Sequence, residues 1–427
     1  MEGLARALRP LPASRLAVGL SGGLDSTVLL HLLASQPAAR ERGLRAIHVH
    51  HGLHADADAW AAHCERLCAA LGVPLSVARV RVDANDGRGP EGAARAARLA
   101  AFAERLRDDE VLALAHHRDD QAETVLLRLL RGAGGDGLAA MRRRSRLGGL
   151  RLWRPLLALP RSALRDYARA HAIDWIEDPS NADAGFDRNF LRHRVLPLLA
   201  ERWPQAGRNV ARSAALLGEQ SLLLAAAADA DLDALQSGPG ILSIPPLLAH
   251  PRARRARILR AWLARLTGHA PPAALLAAIE RDLLRARMDS DGLVAWSGLV
   301  VHRWRDALHA LPNENPLPRD WNAAWDGREP LALPGGATLA LQGAPGFDAP
   351  VQVRARRGGE RIRLPRREHS HALKHVLQDQ GIPPWIRLRM PLVFDADGEL
   401  LAAGDAIRSA RMDDWLRERH ASLAWTP

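Results

Sequence analysis

Apolar residues in the first third of the chain fall into short runs separated by stretches of helical periodicity. The runs cover residues 16–20, 44–50, 75–82 and 111–115, and the helical patterns lie near 26–35, 56–71, 91–106 and 120–130. Alternation of this kind predicts a doubly wound α/β fold, a parallel sheet with helices on both faces, whose ligands sit at the carboxyl ends of the strands. The unusual residue clusters fall there: Ser21 to Ser26 after the first run, His50 to His54 after the second, Ala115 to Asp120 after the fourth. Beyond Gly148 the pattern turns helical and irregular. Residues 209–309 are rich in Ala, Leu and Arg, with helical spacing and little strand character. The segment LPNENPLP (311–318) reads as a linker. Short alternating runs at 337–342, 351–355 and 391–394, divided by Gly and Pro turns, predict a small α+β domain at the end. The expected division is 1–207, 208–310, 311–350 and 351–427.

The first strand runs through Ser21-Gly22-Gly23-Leu24-Asp25-Ser26 straight into an apolar helix. Paired glycines let the backbone approach an anion, Ser21 and Ser26 add hydroxyls, and the new helix aims its unpaired N–H groups at the same point. Such a loop binds phosphate. Asp25 is out of place beside phosphates unless a divalent cation bridges the two, which argues for Mg²⁺. The loop lacks the Lys of a GxxxxGK[ST] motif. SGGxDS after a strand resembles the signature of the PP-loop ATP pyrophosphatase superfamily. That resemblance implies ATP cleavage between the α and β phosphates, with Ser21, Gly22, Gly23, Leu24, Asp25 and Ser26 holding the nucleotide.

A chain of 427 residues is long enough for two to four domains. It carries 59 Lys plus Arg against 48 Asp plus Glu, a net +11, and Lys374 is the only lysine. The arginine bias reflects base composition first, but the net charge suggests a polyanionic partner such as nucleic acid. Cys64 and Cys68, the only cysteines, stand at helix-face spacing, which excludes a disulfide framework and makes a poor metal site. No signal-peptide run or membrane-length apolar stretch is visible, so a cytoplasmic protein is expected.

Three further groups carry candidate chemistry. In His116-His117-Arg118-Asp119-Asp120-Gln121-Ala122-Glu123, Glu123 shares a helix face with Asp119 or Asp120, so the carboxylates can hold Mg²⁺ or grip a cationic substrate. The alternative is a capping arrangement of Asp120 with Glu123 that needs no function. His48, His50, His51 and His54 lack a carboxylate or cysteine to complete a tetrahedral set, so at most one imidazole touching adenine or ribose is expected. Arg95 and Arg98 share one helix face and, near an ATP site, form a candidate phosphate clamp.

HVHHGLH, GPEGAARAAR, AHHRDDQAET, RGAGGDGLAAM, RPLL, WIEDPSNAD and DRNFLRHRVLP follow SGGLDS in order. Together they resemble the bacterial tRNA(Ile)-lysidine synthetase family. Arg356-Arg357-Gly358-Gly359-Glu360, His371 to Lys374 and Gly381 to Trp385 extend the resemblance to the last domain of its longer members. The resemblance implies a ligase that adenylates the C2 oxygen of the wobble cytidine in tRNA(Ile) with a CAU anticodon. The ε-amine of free L-lysine then displaces AMP to give lysidine. It also implies that 1–207 is catalytic, that 208–310 and 351–427 bind tRNA, and that a second copy of the chain is a candidate partner. By the same resemblance Asp25 and Asp120 are candidate Mg²⁺ ligands. Asp119, Asp120 and Glu123 divide metal and lysine-ammonium binding between them, and His116 contacts the activated base or ATP. Arg95, Arg188, Asn189 and Arg192 hold the nucleotide or tRNA. Leu99 stands where the family often has an aromatic.

The basic cluster from Asp187 to Arg194 suits RNA because guanidinium groups pair with phosphates or stack on unpaired bases. Arg252 to Arg257 and Arg354 to Arg367 read as stretches that track a tRNA backbone. A PP-loop thiolase would need cysteine chemistry that Cys64 and Cys68 do not offer. A small-molecule amidating ligase would leave the basic C-terminal regions without a use, and a noncatalytic RNA-binding protein would leave SGGLDS and DDQAET without one.

Overall fold

The computed structural model describes residues 2–52, 54–82, 89–183, 185–285, 292–367 and 369–426; Leu53 of the histidine motif lies outside them. Six strands form the first sheet: β1 Arg15–Gly19, β2 Leu44–His50, β3 Leu75–Arg79, β4 Glu110–Ala113, β5 Arg144–Leu147 and β6 Leu150–Trp153. Their order is β3-β2-β1-β4-β6-β5, parallel except for β5, which pairs antiparallel with β6. Leu16, Ala17 and Val18 of β1 are fully buried, as expected of a strand covered on both faces. The helices α1 Leu24–Ala34, α2 Ala57–Leu71, α3 Gly89–Arg105 and α4 Arg118–Leu130 follow the first four strands in turn. The chain leaves β1 outward to β3 and returns through β4. The switch point, where the crevice of such sheets opens, therefore lies between β1 and β4.

The alternation of apolar runs located these four strands and helices to within a few residues. It missed the β5–β6 hairpin, whose turn is Gly148-Gly149 with both residues at positive φ (+55° and +83°), a two-residue turn that glycine supplies without strain. The helix α5, Arg161–Ala170, packs along α1.

The chain divides into two compact units, residues 1–234 with 251–271, and 235–250 with 272–427. In the first, helices Ala206–Leu235 and Arg252–Thr267 follow the parallel-sheet region. The expectation of little strand character across 209–309 needs correcting. In the second unit Gln236–Gly238, Ile241–Ser243, Leu293–Trp296, Leu299–Trp304 and Ala307–Pro312 form a five-stranded antiparallel sheet. Its last three strands are a meander turned at Ser297-Gly298 and Arg305-Asp306, with Ser297, Gly298 and Arg305 at positive φ. Leu242, Val294, Val300, Val301, Leu308 and Ala310 are its buried positions, a pattern diluted in the sequence by the Ala- and Leu-rich helices before it. The linker reading of 311–318 is also corrected. Leu311 and Pro312 close the last strand, and Leu317 is buried, its N–H donating to Leu388 O. A further antiparallel sheet, Asn322–Trp325, Val351–Arg354, Leu392–Phe394, Leu400–Ala403 and Ile407–Arg408, is the core of the expected α+β region. Val393 packs into one buried cluster while Leu392 and Phe394 face another, so this sheet is covered on both sides. No described helix is long and apolar enough to cross a membrane.

Candidate active site

The loop after β1 is shaped by Gly22, which sits at φ +85°. A Cβ there would lie 2.6 Å from Ile176 Cδ1 and 3.1 Å from Cys64 Sγ, so glycine is required both by backbone conformation and by space. Gly22 O accepts the N–H of Ile176 (2.9 Å), and Gly23 bridges Ile176 in parallel, which fastens the 173–183 segment to the loop. Ser26 Oγ accepts the N–H of Ser21 (3.1 Å) and lies 3.0 Å from Ser21 Oγ. The loop is thus closed on itself at the start of α1, with Gly23 extended in the N-cap position.

Asp25, in the first turn of α1, is held from behind by an imidazole N–H and a guanidinium. Its Oδ2 lies 3.6 Å from His117 Nε2 and its Oδ1 3.5 Å from Arg161 Nε. Burial alone would raise its proton affinity, but His117 and Arg161 outweigh this and hold the carboxyl below its ordinary range. His117 is 1 % exposed and caps α4. Its Nδ1 accepts the Asp120 N–H (3.3 Å), and Asp120 Oδ2 accepts the His117 N–H (3.0 Å). The capping box therefore joins His117 to Asp120, and the sequence alternative of Asp120 with Glu123 is corrected. Because Nδ1 accepts from the backbone, the ring proton sits on Nε2, which faces Asp25 and, at 3.4 Å, Asp120 Oδ2. Burial opposes a charge on this ring, yet the two carboxylates raise its proton affinity overall. One imidazole thus ties the carboxylates of two helices together.

These groups border a cavity of about 400 Å³ at the switch point. Of the residues anticipated from sequence, Ser21, Gly23, Asp25, Ser26, Arg95, His116 and Asp120 line it, as do Arg98, Leu99, His48, His50 and His51. His116 is driven down to about 4 by burial, assisted by Arg154, Arg188 and Arg95 against the pull of Asp120, so it is a neutral ring at physiological pH. His48 is buried and neutral, with Nδ1–H donating to Leu20 O (2.9 Å). His50 faces Asp58, and His54 stacks on Trp60 (4.8 Å). Among the described residues no group of three His, Cys, Asp or Glu converges as a metal site.

The remaining anticipated residues lie outside the cavity lining. Leu24 is buried at the head of α1, and Gly22 turns the loop. Glu123 is fully buried and clamped by Arg192, whose Nε and Nη2 donate to Oε1 (2.7 Å) and Oε2 (3.0 Å). Arg192 also reaches Asp120 Oδ1 (3.2 Å), and Arg188 lies 3.7 Å from Glu123 while donating to Thr124 Oγ1 (3.2 Å). Burial pushes the Glu123 carboxyl upward against the pull of Arg192; two N–H donors on two oxygens mark it as an ionised partner. Asn189 Nδ2 donates to Ser180 O and Asp183 O (2.9 Å each), bracing the 178–183 turn, and Asp119 Oδ2 accepts the Arg161 N–H (3.1 Å). The arginines that looked like a nucleic-acid face are in part internal.

The stretch 252–257 stays at the surface but is partly occupied by acidic partners: Arg254 is exposed and makes a bidentate pair with Asp231 (2.6 and 2.7 Å), and Arg257 reaches Asp136 (3.4 Å). In the second unit Arg354 lies over the Phe394 ring (4.1 Å).

Sequence reasoning assigned no role to His117, Arg161, Arg154, Trp60, Asp178 or Asn181. His117 and Arg161 hold Asp25 from behind the cavity, and the other four line it. His117 had a readable signal, a polar residue directly before the acidic first turn of a helix. Arg154 directly follows β6, a strand the periodicity had not shown.

Comparison with known proteins completes the picture. A PP-loop domain model matches residues 2–199, a TilS substrate binding domain model matches 242–309, and a TilS substrate C-terminal domain model matches 351–425. The chain is similar to a tRNA(Ile)-lysidine synthase of Xanthomonas campestris pv. campestris, 53 % identical over 99 % of this chain and 97 % of that protein. It is also similar to one of Xylella fastidiosa, 52 % identical over 97 % and 96 %. A third, from Escherichia coli O157:H7, is 43 % identical over 92 % and 93 %.

Proposed function

This chain belongs to the tRNA(Ile)-lysidine synthase family, and from that premise we propose how its residues share out the reaction. The protein is an ATP-dependent ligase that joins lysine to the wobble cytidine of tRNA(Ile). In the first step the C2 oxygen of the cytidine attacks the α-phosphorus, the bond to the bridging oxygen breaks, and pyrophosphate leaves. In the second the lone pair of the lysine ε-amine attacks C2. The amine gives up a proton, the C2–O bond breaks, and AMP leaves.

The loop from Ser21 to Ser26 receives the triphosphate at the start of α1, where the helix dipole and free N–H groups favour it. Asp25 and Asp120 are the residues that would hold Mg²⁺. Both carboxylates converge on His117 Nε2, and Asp25 Oδ1 is buried without a hydrogen bond. Two carboxylates with no third protein ligand suit Mg²⁺, which takes its remaining oxygens from phosphates and water; bound there it would neutralise phosphate charge as pyrophosphate forms. His117 and Arg161 keep Asp25 ionised and aimed at the cavity.

Asp120, on the cavity wall, attracts the lysine ammonium, and neutral His116 beside it adds no repulsion against that cation. His116 Nδ1 is buried without a partner and is the atom that accepts a hydrogen bond from the amine. Glu123 and Asp119 act one layer further back. Glu123 fixes Arg192, which reaches Asp120, and Asp119 fixes the backbone of Arg161, which reaches Asp25. Arg188 supports Glu123, and Asn189 holds the turn that carries Asp178 into the cavity lining.

The observation that carries this reading is Asp25, a carboxylate beside a phosphate loop, buttressed by His117 Nε2 and the Arg161 guanidinium. Asp25→Ala should abolish tRNA-dependent pyrophosphate release while tRNA is still retained in filter binding. Undiminished adenylate formation in the variant would refute the role.

A further inference from the structure

Arg154 is unusual among the arginines of this cavity. It is 6 % exposed and lines the cavity wall, yet among the described residues no carboxylate pairs with it. Its Nη1 donates to Arg142 O and Ser145 Oγ (2.9 Å each), and its Nε is buried without a partner. Neutral acceptors therefore fix the guanidinium from behind and leave its charge uncompensated. The nearest charges make this worse. Arg95, on α3, lines the same wall, and Arg128, on α4, is spent on Gly137 O and Ala140 O. Burial together with Arg95 and Arg128 drives Arg154 down to about 10, a sign that no anion of the protein serves it.

A buried charge held rigidly without a counter-ion is expensive, and such a group persists where a ligand completes it. The phosphate loop does not supply that ligand. It follows β1, whereas Arg154 follows β6, two strand spacings away across β4, or roughly 10 Å. His116 and Asp120 follow β4 and lie between.

We propose that Arg154 and Arg95 form an oxyanion subsite on the β6 side of the cavity, distinct from the phosphate loop, which holds a carboxylate or phosphate of the partners of the ligation. This rests on the reading of the cavity as the active site. The two available oxyanions are the α-carboxylate of lysine and a backbone phosphate next to the wobble cytidine. A guanidinium fork suits either. Lysine would then be gripped at both ends, with an ammonium toward Asp120 and its carboxylate on the arginines.

The test uses the full-length enzyme with tRNA(Ile) carrying a CAU anticodon, and compares wild type with Arg154→Gln, Arg154→Lys and the exposed-site variant Arg95→Gln. The probes are lysine and cadaverine, which is lysine without its carboxylate. If the carboxylate is the ligand, wild type prefers lysine, and Arg154→Gln and Arg95→Gln raise KM for lysine roughly tenfold with little change for cadaverine. If an RNA phosphate is the ligand, the lysine-to-cadaverine ratio stays fixed. Affinity for tRNA then falls instead, and the slope of log K against log salt flattens by about one. Arg154→Lys should recover part of either effect. Unchanged lysine and tRNA parameters, or a change confined to KM for ATP, would overturn the proposal. Should Arg154→Gln fail to fold, Arg95→Gln decides alone. Failure of wild type itself to couple lysine would instead strike the reading on which the proposal rests.

Discussion

Gly22→Ala is the perturbation whose consequence can be worked most completely. An alanine at φ +85° pays roughly 1–2 kcal/mol for the left-handed conformation. Its Cβ also arrives 2.6 Å from Ile176 Cδ1 and 3.1 Å from Cys64 Sγ, an overpacking worth roughly 1–3 kcal/mol. The expected loss is therefore about 2–5 kcal/mol, a fall of roughly 4–20 °C in the transition that belongs to the unit built on the parallel sheet. That transition is identified as the one ATP shifts upward in wild type. Ile176→Val removes the Cδ1 atom that collides and by itself costs about 0.5–1.5 kcal/mol. In the Gly22→Ala background it should be nearly free or restoring, giving a coupling of about 1 kcal/mol in the double-mutant cycle. Thermal unfolding of the four proteins, with ATP titrated into each, provides the numbers. A Gly22→Ala protein that melts with wild type, or strictly additive effects of the two substitutions, would refute this account of how the 173–183 segment shapes the phosphate loop.

Arg192→Met should destabilise the protein by about 2–4 kcal/mol, because it strands a buried Glu123 with only Arg188 nearby. A carboxyl whose proton affinity is raised in the folded state contributes stability at low pH and loses it as pH rises, so the deficit should widen from pH 5 to pH 8 in melting curves. Asp25 is the opposite case. Its proton affinity is lowered by folding, so its contribution is present above pH about 4 and is lost as pH falls below that; Asp25→Asn should show a shallower acid limb than wild type. Burial pushes Cys64 to about 12 and Cys68 to about 11, so neither is a thiolate near neutrality. A Cys64→Ala, Cys68→Ala double variant should be less stable yet retain lysine transfer, and loss of turnover with the fold intact would point to sulfur chemistry instead.

The first sheet was legible because β1, β2 and β4 are buried on both faces and therefore read as continuous apolar runs bounded by polar clusters. The β5–β6 hairpin was not, because Arg144 to Leu147 are mostly exposed and offer no such run. Strands such as Leu293–Trp296 and Ala307–Pro312 escaped for a related reason, being short, half-buried and turned by pairs that mimic ordinary loop residues. Within the site, Asp25, His116, Asp120 and Arg95 line one cavity, since each stands at a strand's carboxyl end or on a helix beside it. Sequence could not show which charges neutralise each other. Arg192 and Glu123 lie 69 positions apart, and only the fold reveals that the guanidinium expected for RNA faces the carboxylate expected for lysine.

The central claim is that this cavity couples ATP cleavage to lysine transfer onto one cytidine. Labelled lysine, ATP and tRNA(Ile) with a CAU anticodon, followed together to completion, test it most directly. One lysine in the tRNA for each AMP and each pyrophosphate released, with neither released when that tRNA is omitted, is the predicted result. Pyrophosphate formed without the tRNA, or AMP formed with no lysine retained in it, would contradict the account.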